Sequence, residues 1–206
     1  MIVRLELAPG SVLNESALMT ELGIGRTPIR EALQRLRRDE LVTILPRRGV
    51  FVTSLDIDDL PMLFNSRAVI EPHLAELAAR RGTVDDWNEI GQVLAEAEDP
   101  TTGSDTESLL EADNRCHEIV WNAAGNRFLT ATAAMLYAQS NRLWHLYLGE
   151  IADMGPAVAE HRKILDALRA GDGSKAAQLT EEHIRTFERE IRASMRQRLE
   201  PTLESP

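Results

Sequence analysis

One aspartate and three histidines lie on the apolar stripes of three helical segments in the second half of the chain: Asp113, His117, His161 and His183. Asp113 and His117 are four residues apart and therefore point the same way from one helix, as a chelating pair must. Burying such groups without partners is costly. Three imidazoles and one carboxylate suit a divalent transition metal such as Zn, Ni, Mn or Fe, with room for a water or ligand oxygen.

The ordinary interpretation of one histidine on an apolar stripe is a core residue satisfied by hydrogen bonds. Three of the five histidines lie in such positions together with an aspartate, which leaves a metal site and the ordinary interpretation as equal alternatives on spacing alone. The other two, His73 and His145, do not join the pattern and are interpreted as structural or surface residues.

Two arginines are candidates for binding the carboxylate of a small ligand, because a guanidinium matches a carboxylate bidentately. They are Arg67 and Arg142, and Asn141 is a weaker candidate for the same role. The alternative for Arg67 is an ion pair with Glu71, four residues on, and for Arg142 a place on a helix surface.

The elements that must position these residues are helices. Hydrophobic spacing and glycine punctuation predict only helices after residue 55, at about 58–81, 84–98, 105–124, 127–149, 156–170 and 173–198. Helices of this length joined by short loops predict an all-α antiparallel six-helix bundle over residues 56–206.

Residues 1–55 follow a different pattern. A helix capped by Asn14 or Ser16, a glycine-rich turn and a second helix capped by Thr27 come first. Two short strands at 41–45 and 50–53 follow, joined by a turn at 46–49. This order predicts a winged helix-turn-helix, which places a helix in the DNA major groove. The fold class predicted for the whole chain is therefore mostly α.

The charge distribution agrees with this division. The net charge is −10, but residues 1–55 carry eight Arg against six acids, and residues 26–48 carry seven Arg against three acids. A local basic patch binds phosphate even on an acidic body. Arg26 lies just before a helix N-terminus, and Arg47 and Arg48 lie at the hairpin tip, within reach of phosphate or the minor groove. The alternative is a set of solvated surface arginines.

The location predicted for the chain is cytoplasmic. It has one cysteine, Cys116, so no internal disulfide is expected. No apolar run approaches the ~20 residues that a membrane span needs, and no signal peptide is visible.

Residues 23–33, GIGRTPIREAL, closely resemble the recognition segment of GntR-family bacterial transcription regulators, and 47–52, RRGVFV, resemble their wing. The resemblance implies that Arg26 and Arg30 are the main readers of base or phosphate. It also implies that Ser16, Thr27 and Arg35 make supporting DNA contacts and that Gly49 lets the wing backbone approach the groove. Gly25 stands where the family usually has a hydroxyl residue. The chain begins roughly where the family's first helix ends, so either that helix is truncated or the start site is assigned too late.

Short stretches of the second half resemble the effector domain of the FadR-type subfamily: 67–71, 113–119, 124–126, 160–164 and 183–184. Many members of that subfamily hold a metal through an Asp and three His, and the matching positions here are Asp113, His117, His161 and His183. The metal then typically helps to bind a small carboxylate effector.

The sequence thus predicts a homodimeric transcription regulator, a repressor that binds double-stranded operator DNA and responds to a small organic acid. One alternative is a metalloenzyme built on the bundle, for which no general base stands out. A second is a direct metal sensor without an organic effector, and a third is a regulator whose polar site holds water instead of metal.

Overall fold

A computed structural model describes residues 1–99, 106–147 and 155–199 of the 206-residue chain. The first elements are β1 (Val12–Leu13), α1 (Glu15–Leu22), α2 (Arg26–Arg38), β2 (Val42–Leu45) and β3 (Gly49–Val52). After a 3-10 turn at Ile57–Asp59 come α3 (Leu60–Arg81), α4 (Val84–Glu98), α5 (Thr106–Ala123), α6 (Arg127–Tyr147), α7 (Gly155–Arg169) and α8 (Gly173–Leu199). The mostly helical fold class is confirmed. None of the described helices has the length and apolar character needed to cross a membrane.

Helices α1 and α2 form the helix-turn-helix. The side chain of Asn14 caps α1 by accepting hydrogen bonds from the backbone N–H groups of Ser16 and Ala17 at 2.9 and 3.0 Å. Helix α1 ends at Gly23, whose φ of 65° is left-handed and favours glycine. Helix α2 begins two residues earlier than the capping pattern predicts, because the extended Gly25 is the N-cap and Thr27 lies inside the first turn.

The wing is the hairpin of β2 and β3, paired antiparallel with Leu45 opposite Gly49. The turn is therefore 46–48, one residue shorter than predicted. Two residues here have a left-handed backbone: Arg47 in the middle of the turn, with φ of 62°, and Gly49 at the start of β3, with φ of 109°. The two-residue strand β1 pairs on the other side of β3, which gives the sheet order β1-β3-β2. The sequence reasoning missed β1 because two residues are too few to show a periodicity.

Of the six remaining helices, α3 is central and contacts α5, α6, α7 and most extensively α8, while α4 packs against α5 and α7. The predicted helix bounds agree with the structure within two residues, and the expected end of the fourth predicted helix at 148–149 lies outside the described residues. Apolar side chains such as Leu74, Trp121 and Ile184 fill the interior. Trp144 of α6 stacks on Phe187 of α8, with ring centroids 4.3 Å apart.

The connection between the sheet and the bundle is short. Strand β3 ends at Val52 and α3 begins at Leu60, and the 3-10 turn occupies three of the seven residues between them. The carboxylate of Asp56 caps that turn by accepting the backbone N–H of Asp58 at 2.9 Å. Only residues 53–56 are free of helical structure here.

Replacing a buried residue of α3 tests the packing of this central helix. Leu74 is fully buried, whereas Val69 on the same helix is 74 % exposed. We expect Leu74→Ala to lower the free energy of unfolding by about 2–5 kcal/mol, because it leaves a cavity. Val69→Ala is the matched control and changes it by less than about 0.5 kcal/mol. Urea unfolding followed by circular dichroism measures both, and equal effects would contradict this packing.

Candidate metal centre and nucleic-acid interface

The structure brings the four predicted metal ligands together in the interior of the bundle. Asp113, His117, His161 and His183 are all buried, and one ligand atom from each lies within 4.8 Å of all the others. Asp113 Oδ1 is 3.4 Å from His183 Nε2 and 3.6 Å from His161 Nδ1. Asp113 Oδ2 is 3.9 Å from His117 Nε2. Helices α5, α7 and α8 therefore supply one compact set of nitrogen and oxygen donors.

Two of the histidines are oriented by carboxylates on the side away from the cluster. Nδ1 of His117 lies 2.9 Å from Glu71 Oε2, and Nδ1 of His183 lies 2.7 Å from Glu160 Oε2. The Nε2 atoms of the two rings are left facing each other at 3.3 Å. A carboxylate behind an imidazole fixes the ring and raises its basicity as a ligand, as at many metal sites in proteins.

The ionisation of the cluster depends on burial and on these contacts. Burial alone would raise the pKa of Asp113, but the nearby His183 and the other two histidines hold that pKa well below its usual range. Burial would lower the pKa of His183, but the nearby Asp113 carboxylate and the hydrogen bond to Glu160 raise it to about 9. Burial and the neighbouring His183 lower the pKa of His161 to about 3, which leaves that imidazole neutral, the form that binds metals.

One oxygen of Asp113 is left without a hydrogen-bond donor. Tyr137 donates its hydroxyl to Oδ2 at 2.6 Å, and burial raises the pKa of Tyr137 well above its usual value, so this proton is retained. Oδ1 is buried and has no hydrogen-bond partner among the described residues. A buried carboxylate oxygen without a hydrogen-bond donor destabilises the fold by several kcal/mol, on the order of the loss of one hydrogen bond to a charged group. Its position beside two imidazole nitrogens fits a bound divalent cation.

The chemistry of the donors points the same way. Three imidazoles and one carboxylate, with no thiolate among them, suit the borderline divalent metals of the first transition row. Cys116 is buried on the same helix as two of the ligands, but burial raises the pKa of its thiol, which therefore stays protonated. The residues present thus fit a divalent metal ion.

Arg67 lies next to the cluster but is already paired. Its Nε donates to Glu71 Oε1 at 2.5 Å, and its Nη1 donates to Ser140 Oγ at 2.8 Å. Burial alone would raise the pKa of Glu71, but Arg67 and His117 lower it to about 2. The ion pair that was the alternative interpretation of Arg67 is the arrangement that the structure shows, so its guanidinium is not left open to a ligand.

The other two residues predicted to bind an effector lie in different places. Arg142 is not brought to the cluster, because it donates to the backbone carbonyl of Thr53 and, at 2.9 Å, to Gln139 Oε1. Helix α6 turns it toward the N-terminal part of the chain, which its sequence position did not reveal. Asn141, together with Tyr137 and Trp121, lines a cavity of about 340 Å³.

The two histidines left out of the predicted site are also left out of the cluster. His73 is 53 % exposed and lies 3.5 Å from Glu76 of its own helix. His145 is half-buried on α6, where burial lowers its pKa, and it borders the same cavity as Asn141.

All eight residues predicted to contact DNA are exposed, on α1, α2 and the wing: Ser16, Arg26, Thr27, Arg30, Arg35, Arg47, Arg48 and Gly49. Thr27, Arg30 and Arg35 line a shallow groove along α2. Arg30 is 3.1 Å from Glu15 of α1. The four other arginines of the set form no ion pair with any described residue, so their charges are available to phosphate.

Comparisons with known proteins agree with both halves of this arrangement. Residues 1–52 match the family model described as bacterial regulatory proteins, gntR family, and residues 62–186 match that of the FCD domain. The chain belongs to the GntR family. It is a DNA-binding transcriptional regulator with an FCD domain, and the prediction of a regulator and not an enzyme is confirmed.

Relatives of this GntR-family regulator cover nearly its whole length. It is 32% identical to the galactonate operon transcriptional repressor of Escherichia coli, over 86% of each chain. It is 31% identical to an HTH-type transcriptional regulator in an unstable DNA locus of Streptomyces ambofaciens, over 90% of this chain and 78% of the relative. The solved structure of E. coli McbR/YncC shares its fold with a TM-score of 0.80 at 21% identity, over 95% of this chain and 92% of that one.

Three residues that contact the regulator's cluster are not predicted as site residues from the sequence. Glu71 was considered only as a partner of Arg67, and Glu160 only as part of a family-like stretch, although each carboxylate orients a histidine. Tyr137 carried no signal, because its contact with Asp113 depends on how α5 and α6 are rotated against each other.

The buried ion pair of Arg67 and Glu71 gives a test of this charge network. We expect Arg67→Met to lower the free energy of unfolding by about 3–5 kcal/mol, because it leaves the Glu71 carboxylate buried without its guanidinium. The double variant Arg67→Met, Glu71→Gln removes that charge as well and recovers at least about half of the loss.

Chemical denaturation of both variants measures this difference. The control is Arg192→Met, which removes an exposed arginine from a pair with the partly buried Glu188 and costs less than about 1 kcal/mol, because Glu188 keeps Arg185 as a partner. A double variant no more stable than Arg67→Met would show that the network is not held together by charge balance.

Proposed function

We propose that this regulator is a metal-dependent repressor that responds to a small carboxylate effector. Asp113, His117, His161 and His183 hold a divalent transition metal, and the effector binds through that metal and lowers the affinity for operator DNA. The observation that carries the proposal is the buried Asp113 Oδ1, which has no hydrogen-bond partner among the described residues and lies 3.4 and 3.6 Å from two imidazole nitrogens.

The environment of the cluster supports a small carboxylate as the effector. A metal with four protein ligands keeps room for an oxygen of a further ligand when its coordination expands. Tyr137, which contacts Asp113, also borders the cavity of about 340 Å³ that Asn141 lines. Asn141 is the effector-contact candidate on this cavity, since Arg67 and Arg142 are committed to acceptors of the protein. The repressor of the galactonate operon is one relative, and galactonate is a hydroxycarboxylate.

Operator recognition is assigned to α2 and the wing. Arg26 and Arg30 at the start of α2 read bases or phosphates in the major groove, and Ser16, Thr27 and Arg35 support them. Arg47, Arg48 and Gly49 bring the wing to the backbone or minor groove. The support is that these side chains are exposed, while Ile29 and Leu33 on the opposite side of α2 are buried.

The proposed assembly is a homodimer in the cytoplasm. Residues 1–55 form the DNA-binding domain, and residues 56–206 form the effector-binding and dimerisation domain. Two winged helices then bind a pseudo-palindromic operator whose half-site spacing follows from the dimer geometry. Effector binding favours one relative placement of the DNA-binding domains through its differential affinity for the two states.

Substituting Arg30 tests the assignment of the recognition helix. Arg30→Ala removes a base or phosphate contact, and we expect at least about a tenfold loss of operator affinity, with unchanged metal content. Arg192→Ala is the matched control, because it removes the same charge from an exposed site in the bundle. Fluorescence anisotropy with operator selected by the protein measures both affinities, and normal binding by Arg30→Ala would show that α2 is not the reading helix.

Metal analysis of the purified protein tests the metal site. We expect about one transition metal ion per chain in the native protein and none in the Asp113→Ala, His161→Ala variant, because removal of half the ligands abolishes tight binding. His73→Ala is the control, since this histidine is exposed and outside the cluster. Absence of metal from the native protein after loading with Zn, Ni or Mn would leave the DNA-binding assignment intact and make the cluster a polar pocket.

A further inference from the structure

We propose that helix α6 is the coupling element that connects the metal cluster to the DNA-binding part of the chain. Tyr137 on one face of α6 contacts a metal ligand, and Gln139 and Arg142 on another face hold the backbone at the ends of α2 and β3. This inference rests on the proposed function, and it names the residues through which occupancy of the cluster alters the DNA-binding part.

On the face toward the cluster, α6 makes two hydrogen bonds with the buried charge network, one as donor and one as acceptor. Tyr137 donates to Asp113 Oδ2 at 2.6 Å, and Ser140, one turn further on, accepts from Arg67 at 2.8 Å. Arg67 in turn holds Glu71, which contacts His117. A cation bound at Asp113 changes the charge that Tyr137 faces, so α6 is in direct contact with the group whose state changes.

On another face, α6 makes polar contacts with two backbone positions of the DNA-binding part. Gln139 donates its side-chain amide to the carbonyl of Asp39 at 3.1 Å, and Arg142 donates to the carbonyl of Thr53. Asp39 is the C-cap of α2, and Thr53 directly follows β3 of the wing. Between these contacts, Ala138 of α6 packs against the apolar core of the N-terminal part.

The two sets of contacts lie on different faces of one continuous helix. At 100° per residue, positions 137 and 140 share one side of α6, and positions 138, 139 and 142 share another. A rotation or shift of α6 at Tyr137 therefore moves Gln139 and Arg142 against Asp39 and Thr53. Small displacements of a packed helix between two arrangements are a usual way in which a ligand signal crosses a protein.

The contact of Arg142 is suited to being broken and remade. Arg142 is fully buried, but it forms no ion pair with any described residue, and its Nε has no hydrogen-bond partner there. A buried guanidinium held only by neutral acceptors recovers little of its desolvation cost. The docked arrangement is therefore only weakly favoured over one in which Arg142 is hydrated.

Space for such a movement exists at the junction. A cleft of about 330 Å³ lies beside these contacts, and Thr53, Gln139 and Leu143 line it together with Glu40 at the end of α2. Closely packed protein interiors resist movement, whereas an open cleft lets one surface shift against the other without a steric clash. The junction is thus held by a small number of weak polar contacts and has open space beside it.

The test compares hydrogen–deuterium exchange of the full chain, stripped with a chelator and then loaded with Zn²⁺ alone. The reporters are backbone amides at 39–41 and 52–54, on either side of the contacts made by Gln139 and Arg142. In the native protein, we expect Zn²⁺ to change their exchange rates by at least about fivefold, the lower end of typical coupling between sites. Tyr137→Phe and Arg142→Ala are expected to reduce this change to less than about twofold while Zn²⁺ still binds.

Two further variants complete the design. Arg81→Ala is the matched control, because Arg81 also donates from its guanidinium to a backbone carbonyl, that of Ala124, but inside the bundle. It is expected to keep the full response. Gln139→Leu replaces a partly exposed side chain and removes the hydrogen bond to Asp39, so it tests the coupling even if Arg142→Ala fails to fold. General stabilisation by Zn²⁺ acts on all variants, so the differences between them isolate the route through α6.

The outcomes separate this inference from the proposed function. Zn²⁺ binding with a response that is lost in Tyr137→Phe and Arg142→Ala but kept in Arg81→Ala supports the coupling. Zn²⁺ binding with no response in the native protein, or with an undiminished response in Arg142→Ala and Gln139→Leu, overturns the coupling and leaves the metal site standing. Failure of the native protein to bind Zn²⁺, Ni²⁺ or Mn²⁺ overturns the metal site, and the coupling with it.

Discussion

A balanced set of buried charges is the constraint on which the bundle depends. Two carboxylates, Asp113 and Glu71, lie in the interior with one guanidinium, that of Arg67, and three imidazoles around them. Each of these groups is tolerated there only because the others are in place, since removing one partner leaves a buried charge without compensation and strongly destabilises the fold. Helices α3, α5, α7 and α8 each contribute members, so their relative rotation is set by electrostatics as well as by apolar packing.

The sequence predicted the members of the cluster better than their partners. Asp113 and the three histidines could be found because helical spacing places them on apolar stripes, where a buried polar group needs a hydrogen-bond partner or a ligand. Tyr137 could not be found, because its contact depends on the rotation of one helix against another and leaves no local pattern. Arg142 shows the same limit, since its residue type suits a carboxylate but its position on α6 turns it toward Thr53.

Arginine has opposite roles in the two halves of the molecule. On α2 and the wing, Arg26, Arg47 and Arg48 are exposed and form no ion pair with any described residue, which leaves their charge available to an anionic partner. In the bundle, Arg67 is buried and fully engaged by Glu71 and Ser140. This division explains how a chain of net charge −10 presents a basic surface at one end, because its acidic residues lie mostly after residue 55.

The short connection between β3 and α3 limits how far the winged helix can travel. Residues 53–56 alone are free of helical structure, and four residues reach about 14 Å at most when fully extended. Even with every contact to α6 released, the recognition helix stays tethered close to the bundle. The reach of these four residues therefore limits how far the winged helix can separate from the bundle, whereas its orientation is less restricted.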